Sequence, residues 1–230
     1  EDEAGASVGG ANLIAALADV AGLGRVVTAN LNYVYVDAES RGQGHLRRLV
    51  AATAEIAGSM FGTPTEPVVF IEQNDPFRMS AEAYAHDTEA TGLDQLDRLR
   101  IWSRLGARIV DFDYVQPALS AEQEADDNLI YAVLGGRKAP LSACLVAAHL
   151  RRFFGISVLK GAPIGEDATA ARQLRALDAM CGAGAEIALL DPGPLLDRLP
   201  DLDQVAALFE SRPPSMRAAL HLYGPGSPTF

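Results

Sequence analysis

The sequence is poor in the residues that build metal sites and disulfide frameworks. Its 230 residues include two cysteines and four histidines. Cys144 and Cys181 lie far apart, form no CxxC motif and have no matching histidine cluster. This usage encodes neither a zinc site nor a disulfide framework. The two cysteines therefore predict a protein without a bound metal in a reducing, cytoplasmic location.

Long hydrophobic runs and a leader segment are also missing. The most apolar window, residues 141–159, is interrupted by Arg151 and Arg152, whereas a membrane-spanning helix needs about 20 predominantly apolar residues. No charged segment followed by an apolar segment and a cleavage site opens the chain. These absences argue against a membrane partner. The first residue is Glu1 rather than methionine, which predicts a fragment or a processed product.

Basic residues are fewer than acidic ones. The chain has 19 Lys and Arg against 30 Asp and Glu, a net charge of -11. A field of that sign repels phosphate backbones, so the charge predicts no nucleic-acid partner. The hydrophobic content of 49% is that of a globular protein with ample material for a core. The length fits one large domain, or one compact domain with an appendage.

The first third of the chain predicts a strand, a glycine turn and a helix. Residues 8–16 and 26–37 are rich in β-prone side chains and flank a Gly-Leu-Gly turn, which predicts a hairpin. The second strand alternates in a way that suits a central strand covered on both faces. Apolar residues then recur at helical spacing over 45–60.

Further elements follow in a mixed order. We expect a buried strand over 68–73, a helix over 93–105 that ends at Gly106, and a hairpin with an acidic tip. The polar connection over 75–92 is long enough to be functional or partly helical. We expect it to shape the acceptor pocket, with a surface excursion packed by its own side chains as the alternative. After Gly136 the pattern is helical, with helices over 141–154, 168–181 and 205–210 and an extended or disordered tail. This predicts an α/β domain over 1–138 and a helical extension over 139–230.

The segment from Tyr35 to Leu46 carries the strongest chemical signal. A strand passes through Arg41-Gly42-Gln43-Gly44 into a helix, and the unpaired amides and the dipole at such a helix start favour a pyrophosphate. The segment is not a P-loop, because it lacks GK[ST], and not a Rossmann motif, because Arg47 occupies the third glycine position. On these residues alone, a plain tight turn is the alternative.

This segment resembles motif A of the GNAT N-acetyltransferases. Val36 corresponds to the valine at the strand end, and Arg41-Gly42-Gln43-Gly44 matches the start of the family's turn. A second match is the helix end and strand from Ile101 to Phe112. The resemblance covers residues 8–136. It implies an α/β fold with a mixed, mostly antiparallel central sheet flanked by helices, here followed by the helical extension, and it implies acetyl-CoA as co-substrate.

The resemblance also implies where the co-substrate binds. Tyr35 and Val36 are expected at the acyl end, and the amides of the turn and first helical turn at the pyrophosphate. The implied cofactor-binding residues are Tyr35, Val36, Arg41, Gly42, Gln43, Gly44, His45, Leu46 and Arg47. Arg48 adds charge nearby, with a solvated basic helix face as the alternative for both arginines of the helix.

Amine acetylation needs a base, because an ammonium has no lone pair. Glu72 near the end of its strand is the predicted catalytic base, since partial burial would raise its pKa; a solvated strand-end acid is the alternative. Tyr84 and His86 are alternative proton carriers or plain surface residues. His149 lies on the apolar side of its helix, which predicts a core position.

Two departures from the family pattern leave two functions open. Leu46 replaces the last small residue of the turn, and Trp102 stands where the family has the tyrosine that protonates the leaving thiolate. The first hypothesis is an acetyl-CoA-dependent N-acyltransferase acting on a small-molecule or peptide amine by direct attack on the thioester. The alternative is a non-catalytic binding or scaffolding protein. The apolar stripes of the late helices predict packing on the α/β domain or on a second subunit of a homodimer.

Overall fold

The computed structural model describes residues 5, 7–63, 65–120, 122–199 and 212–223. The strands are β1 (Gly9–Val20), β2 (Gly24–Val36), β3 (Val68–Asn74), β4 (Arg108–Val110), β5 (Leu129–Val133), β6 (Leu141–Ser142), β7 (Glu186–Ile187) and β8 (Leu189–Leu190). The helices are α1 (His45–Phe61), α2 (Ala81–Thr91), α3 (Gln95–Arg104), α4 (Ala143–Phe153), α5 (Ala168–Gly182), α6 (Gly193–Leu196) and α7 (Met216–Tyr223).

The strand order confirms the predicted fold class. Six strands follow the order β1-β2-β3-β5-β4-β8, and β6 pairs with β7. The β1–β2, β4–β5 and β4–β8 pairs are antiparallel, and β2–β3 is parallel. The fold is therefore a mixed α/β architecture with a mostly antiparallel sheet flanked by helices.

Two compact units divide the chain. The first contains residues 1–71 and 142–186, and the second contains residues 72–141 and 187–230. Each unit takes residues from both sides of the predicted boundary near residue 138. The division into domains over 1–138 and 139–230 remains a prediction.

In the first unit, the hairpin of β1 and β2 is confirmed. Its register runs from Gly9 opposite Val36 to Val20 opposite Gly24. The parallel partner β3 pairs with β2 only as far as Leu31. The strand is accordingly buried on both faces over 27–31, and its residues are exposed or half-buried over 32–36. The prediction of a fully covered strand is therefore wrong for its last third.

Helix α1 packs on β1 and β2 and agrees with the predicted helix over 45–60. Thr53 and Ala57 are buried, and Ile56 and Met60 are exposed. The buried stripe is therefore narrower than the apolar pattern indicates. The helix ends at Gly62, whose φ of 59° is the left-handed conformation that glycine favours.

A disulfide joins α4 to α5 in the first unit. Cys144 and Cys181 are bonded, with their Cα atoms 4.6 Å apart. The prediction that the sequence encodes no disulfide is wrong, because the packing of α4 against α5 brings together two residues that no spacing motif connects. Because the two thiols are paired, they do not support the prediction of a reducing location. Within the described residues, no helix is long and apolar enough to cross a membrane.

His149 is a core residue of the first unit, in agreement with its predicted role. Its ring stacks on Phe70 with the ring centroids 4.0 Å apart, and Phe153 lies parallel at 6.3 Å. Only 3% of the residue is exposed. Burial lowers the pKa of His149 from 6.5 to about 3, because the imidazolium loses its hydration.

Replacing His149 by Phe is expected to remove an acid-dependent loss of stability. The folded state keeps the ring neutral between pH 6.5 and about 3, where the unfolded chain binds a proton. The part of the free energy of unfolding that depends on the neutral ring is fully present above pH 6.5. It is lost as the pH falls, at up to about 1.4 kcal/mol per pH unit. Urea unfolding at pH 7, 6 and 5 should show a steeper decline for the native chain than for His149→Phe. Parallel declines would contradict the assignment.

The second unit has its own hydrophobic core. The core is formed by Phe77, Leu96, Leu99, Ile109, Ile130, Leu195, Leu196, Leu199, Met216, Ala219 and Leu220, with Leu190 and Tyr223 packed against it. Helix α3 begins at the cap Asp94, which accepts bonds from the amides of Leu96 and Asp97. Gly106 follows this helix with a φ of 87°, and a side chain there would lie 2.7 Å from the amide nitrogen of Gly136.

The connection over 75–92 is mostly structured and contains helix α2. Ser80 caps this helix by accepting a bond from the amide of Ala83. Phe77, Met79 and Tyr84 are buried. The partly helical alternative for this segment is therefore confirmed.

The part of the chain after Gly136 is less uniformly helical than predicted. Strands β6, β7 and β8 lie in it, and each is two residues long, too short to show an alternating pattern. The predicted helix over 205–210 lies outside the described residues. Residues 221–223, predicted as extended tail, complete α7.

Candidate functional site

The glycine turn of the first unit leads from β2 into α1. After a short 3₁₀ turn over Ala38–Ser40, Gly42 and Gly44 both adopt positive φ, 78° and 80°. Gly44 is the N-cap of α1, where no side chain accepts a hydrogen bond, and the first turn contains no acidic residue. The first amides of a helix have no intrahelical acceptor. The start of α1 is therefore suited to bind an anion.

The space around the turn is open. A Cβ atom built on Gly42 or Gly44 would meet nothing within 4 Å, and residues 41–44 are exposed. The Nε of Arg41 donates to the carbonyl of Val36 at 3.4 Å. Leu46, the departure from the family pattern, is half-buried in the first turn of α1.

Two basic groups at the start of α1 are hydrogen-bonded to each other. A guanidinium nitrogen of Arg48 lies 2.8 Å from Nδ1 of His45. Because a guanidinium only donates, Nδ1 accepts, and a neutral His45 then carries its proton on Nε2. Arg47 is exposed next to this pair. The start of α1 thus presents positive charge and N–H donors at the segment that the sequence predicts to bind phosphate.

The end of β2 is irregular. The register with β1 shifts between Asn12 and Leu13, so that Asn32 is an extra residue on β2. The side chain of Asn30 donates to Asn32 at 2.9 Å, and Asn32 donates to Asn12 at 3.0 Å. Sequence reasoning missed this amide chain, although three asparagines among β-prone residues were its visible signal.

The predicted acyl-end residues lie beyond this bulge. Tyr35 is 46% exposed, and its ring centroid lies 5.8 Å from that of the exposed Tyr33. A Cβ atom on Gly10 would lie 2.9 Å from Cε1 of Tyr35, so this ring lies against bare backbone. Val36 is half-buried at the strand end.

Glu72, the predicted base, belongs to the second unit and is hydrogen-bonded through one oxygen. Tyr114 donates its hydroxyl to Oε1, and Nε2 of Gln116 donates to the same atom at 3.2 Å. Burial raises the pKa of Glu72 from 4.5 to about 7; the bond from Tyr114 lowers it, the charge of Asp126 raises it and the bond from Gln116 lowers it. A carboxyl group with that pKa is suited to accept a proton near neutral pH.

The partners of Glu72 were not anticipated from the sequence. Tyr114 is 3% exposed, and its ring stacks on that of Tyr131 with the centroids 4.5 Å apart. Gln116 is fixed by two backbone hydrogen bonds with Asp126, at 2.8 and 2.9 Å. The spacing of Tyr114 and Gln116, two residues apart in a β-prone run, was the only available signal.

The alternative proton carriers have different surroundings. The hydroxyl of Tyr84 donates to the carboxylate of Asp94 at 2.6 Å inside the core, and burial raises its pKa. His86 is exposed on α2. Trp102 is half-buried on α3. Of the two alternative proton carriers, Tyr84 is buried and His86 is exposed.

A buried carboxylate that the sequence did not indicate is Asp75. It accepts hydrogen bonds from the backbone amides of Phe77 at 3.0 Å and of Met216 at 2.9 Å. Burial raises its pKa to about 6. These bonds hold the start of α7 and give Asp75 a structural role. Among the residues that the structure describes, no three His, Cys, Asp or Glu side chains are grouped to hold a metal ion.

Comparisons with known proteins find similar solved structures. No family model matches the chain, and no curated protein matches it. The KacTA–DNA complex is 17% identical with a TM-score of 0.26, and the match covers 55% of this chain and 58% of that one. An AtaT mutant toxin bound to the C-terminus of the antitoxin AtaR and acetyl-CoA is 17% identical with a TM-score of 0.25, covering 55% and 60%. AtaT complexed with acetyl-methionyl-tRNAfMet is 15% identical with a TM-score of 0.23, covering 54% and 61%.

This chain spans about three fifths of the length of those structures. At these identities and TM-scores, the similarity does not assign the chain to a family. The cofactor-binding and catalytic residues predicted above remain predictions.

The prediction that excluded a nucleic-acid partner is wrong. Two of the similar structures contain nucleic acid, DNA in one and acetyl-methionyl-tRNAfMet in the other. The exclusion depended on the net charge of -11, which is an average over the whole chain and does not describe the local potential at a binding surface. Arg41, Arg47 and Arg48, for example, lie within one short segment.

Proposed function

We propose that this chain is an acetyl-CoA-dependent N-acyltransferase that transfers an acetyl group to an amine. The observation that carries the proposal is the start of α1, where a turn with two positive-φ glycines precedes a helix without a side-chain cap. The resemblance of residues 35–46 to motif A of the GNAT enzymes supports the same function. The raised pKa of Glu72 supports its role as the base that the reaction needs.

The amides of residues 43–47 would bind the pyrophosphate of the co-substrate. Gly42 and Gly44 provide the backbone conformation and leave the space in front of the amides empty. Arg41 and Arg47 would add charge, and the Nε2–H of His45 would add a donor. By the resemblance, Tyr35 and Val36 would contact the acyl end.

Glu72 would accept the proton of the acceptor ammonium. With a pKa of about 7, about half of the Glu72 side chains are ionised at neutral pH. The neutral amine then forms the new C–N bond with the acetyl carbon, the C–S bond breaks, and the thiolate takes up a proton to leave as free thiol. Trp102 has no proton to supply for that last step, so solvent is its source in this proposal.

The test is acetyl transfer itself. The protein is incubated with acetyl-CoA and a panel of small amines, peptide N-termini and aminoacyl-tRNA, and free thiol is measured over time. We expect thiol release that depends on both the acceptor and the protein. No release above the uncatalysed rate with any acceptor, in a protein that binds CoA, would favour the non-catalytic alternative. The observation in favour of that alternative is Trp102 at the position of the family's proton donor.

Replacing Gly44 by Val is expected to weaken CoA binding by about 5- to 150-fold. A branched residue is strained at a φ of 80° and would place its side chain in front of the amides. The affinity is measured by calorimetry. Gly62→Val is the matched control, because Gly62 lies at the other end of α1, also has a positive φ and also has nothing within 4 Å of its Cβ position. Equal losses in the two folded variants would place the ligand elsewhere.

The segment over 75–92 is proposed to shape the acceptor pocket. Deleting it would remove Phe77, Met79 and Tyr84 from the core, so the test has to be a surface change. His86→Ala on the exposed side of α2 is expected to alter the KM for the acceptor and leave CoA affinity unchanged.

A further inference from the structure

We propose that Tyr114 is a positioning residue for Glu72: its hydroxyl holds Oε1 and leaves Oε2 as the oxygen that accepts the proton. The hydrogen bond between Tyr114 and Glu72 is a feature of the geometry of the second unit. Its consequence for catalysis rests on the function proposed above.

The hydrogen bonds of Glu72 are one-sided. Both donors, the hydroxyl of Tyr114 and Nε2 of Gln116, reach Oε1. No residue within the described ranges donates to Oε2. Because each carboxylate oxygen has lone pairs for about two bonds, Oε1 is saturated and Oε2 keeps its full acceptor capacity.

The two donors are themselves held in place. Tyr114 is buried and stacked on the buried ring of Tyr131, with an interplanar angle of 19°. The backbone of Gln116 is paired with that of Asp126 on both sides. A carboxyl group clamped by two fixed donors loses its freedom to rotate, so that its second oxygen keeps one direction.

The hydrogen bonds from Tyr114 and Gln116 also affect the pKa of Glu72. The groups that act on it are burial and the charge of Asp126, which raise its pKa, and the bonds from Tyr114 and Gln116, which lower it. Removing the hydroxyl of Tyr114 takes away a bond that favours the ionised carboxylate. The carboxylate would then be protonated up to a higher pH, and less base would be available at neutral pH.

The experiment is an NMR titration of the glutamate side-chain carbonyl carbons in the full chain, with the Glu72 signal assigned by its loss in Glu72→Gln. We expect a midpoint near pH 7 in the native chain and a midpoint higher by about one pH unit in Tyr114→Phe. Gln116→Ala removes the second donor and should raise the midpoint by less. Tyr84→Phe is the matched control, because it removes a hydroxyl bonded to a different buried carboxylate, Asp94.

An unchanged midpoint in folded Tyr114→Phe, or an equal rise in Tyr84→Phe, would overturn the proposal. If Tyr114→Phe does not fold, an unchanged midpoint in Gln116→Ala overturns it. The acid limb of the kcat/KM profile should move to higher pH with the same variants. A shifted midpoint in a protein without any acetyl transfer would support the positioning role and contradict the proposed function, so the two failures are distinguishable.

Discussion

Replacing Glu72 by Gln is expected to lower kcat for acetyl transfer by about 10²- to 10⁴-fold, the usual contribution of a positioned general base. Glutamine can occupy the same space and accept the hydrogen bond of Tyr114, but it cannot take a proton from the acceptor ammonium. The affinity for CoA should stay the same. The measurement is kcat from thiol release between pH 6 and 9, with CoA affinity measured by calorimetry.

Glu82→Gln is the control for this variant, because Glu82 is an exposed glutamate on α2 in the same unit. The folded-state pKa of Glu72 is raised, so the free energy of unfolding falls as the pH rises from 4.5 to about 7, where the unfolded chain is ionised and the folded chain still holds the proton, and the loss stays constant above that pH. Glu72→Gln should therefore be no less stable than the native chain at pH 8. A stable variant with unchanged kcat would remove Glu72 from the reaction.

Removing the disulfide is expected to lower the free energy of unfolding by about 4 kcal/mol. Cys144 and Cys181 are separated by 37 residues in the sequence, and closing a loop of that length removes chain entropy from the unfolded state. The measurement is urea unfolding of the double variant Cys144→Ser, Cys181→Ser and of the native chain. Dithiothreitol should lower the stability of the native chain towards that of the variant and should leave the variant unchanged. A native chain that is equally stable with and without reductant would contradict the prediction.

Elements with a strong local pattern could be predicted from the sequence. Helices α1 and α5 have clear periodicities, strand β3 is a continuous apolar run, and the turn before α1 is marked by Gly42 and Gly44. The disulfide and the two-residue strands could not be predicted, because tertiary packing creates them and no local pattern precedes them. The exposure of Tyr33 and Tyr35 was missed for the same reason, since it depends on where the neighbouring strand stops pairing.

The residues of the candidate site also differ in whether local sequence could predict them. Glu72 could be singled out as an acid near the end of a buried strand, because that position is local information. Its partner Tyr114 lies 42 residues further along the chain, and no spacing rule connects the two side chains. Tyr84 was a candidate proton carrier by sequence, and its bond to Asp94 in the core could only be seen in the structure.

The structure of the protein with acetyl-CoA bound tests the central claim most directly. We expect the pyrophosphate oxygens within hydrogen-bond distance of the amides of residues 43–47, and the positive φ of Gly42 and Gly44 unchanged. The thioester is expected beside Tyr35 and Val36. Acetyl-CoA bound at another surface, or an empty turn in crystals soaked at saturating acetyl-CoA, would contradict the claim that this turn is the co-substrate site.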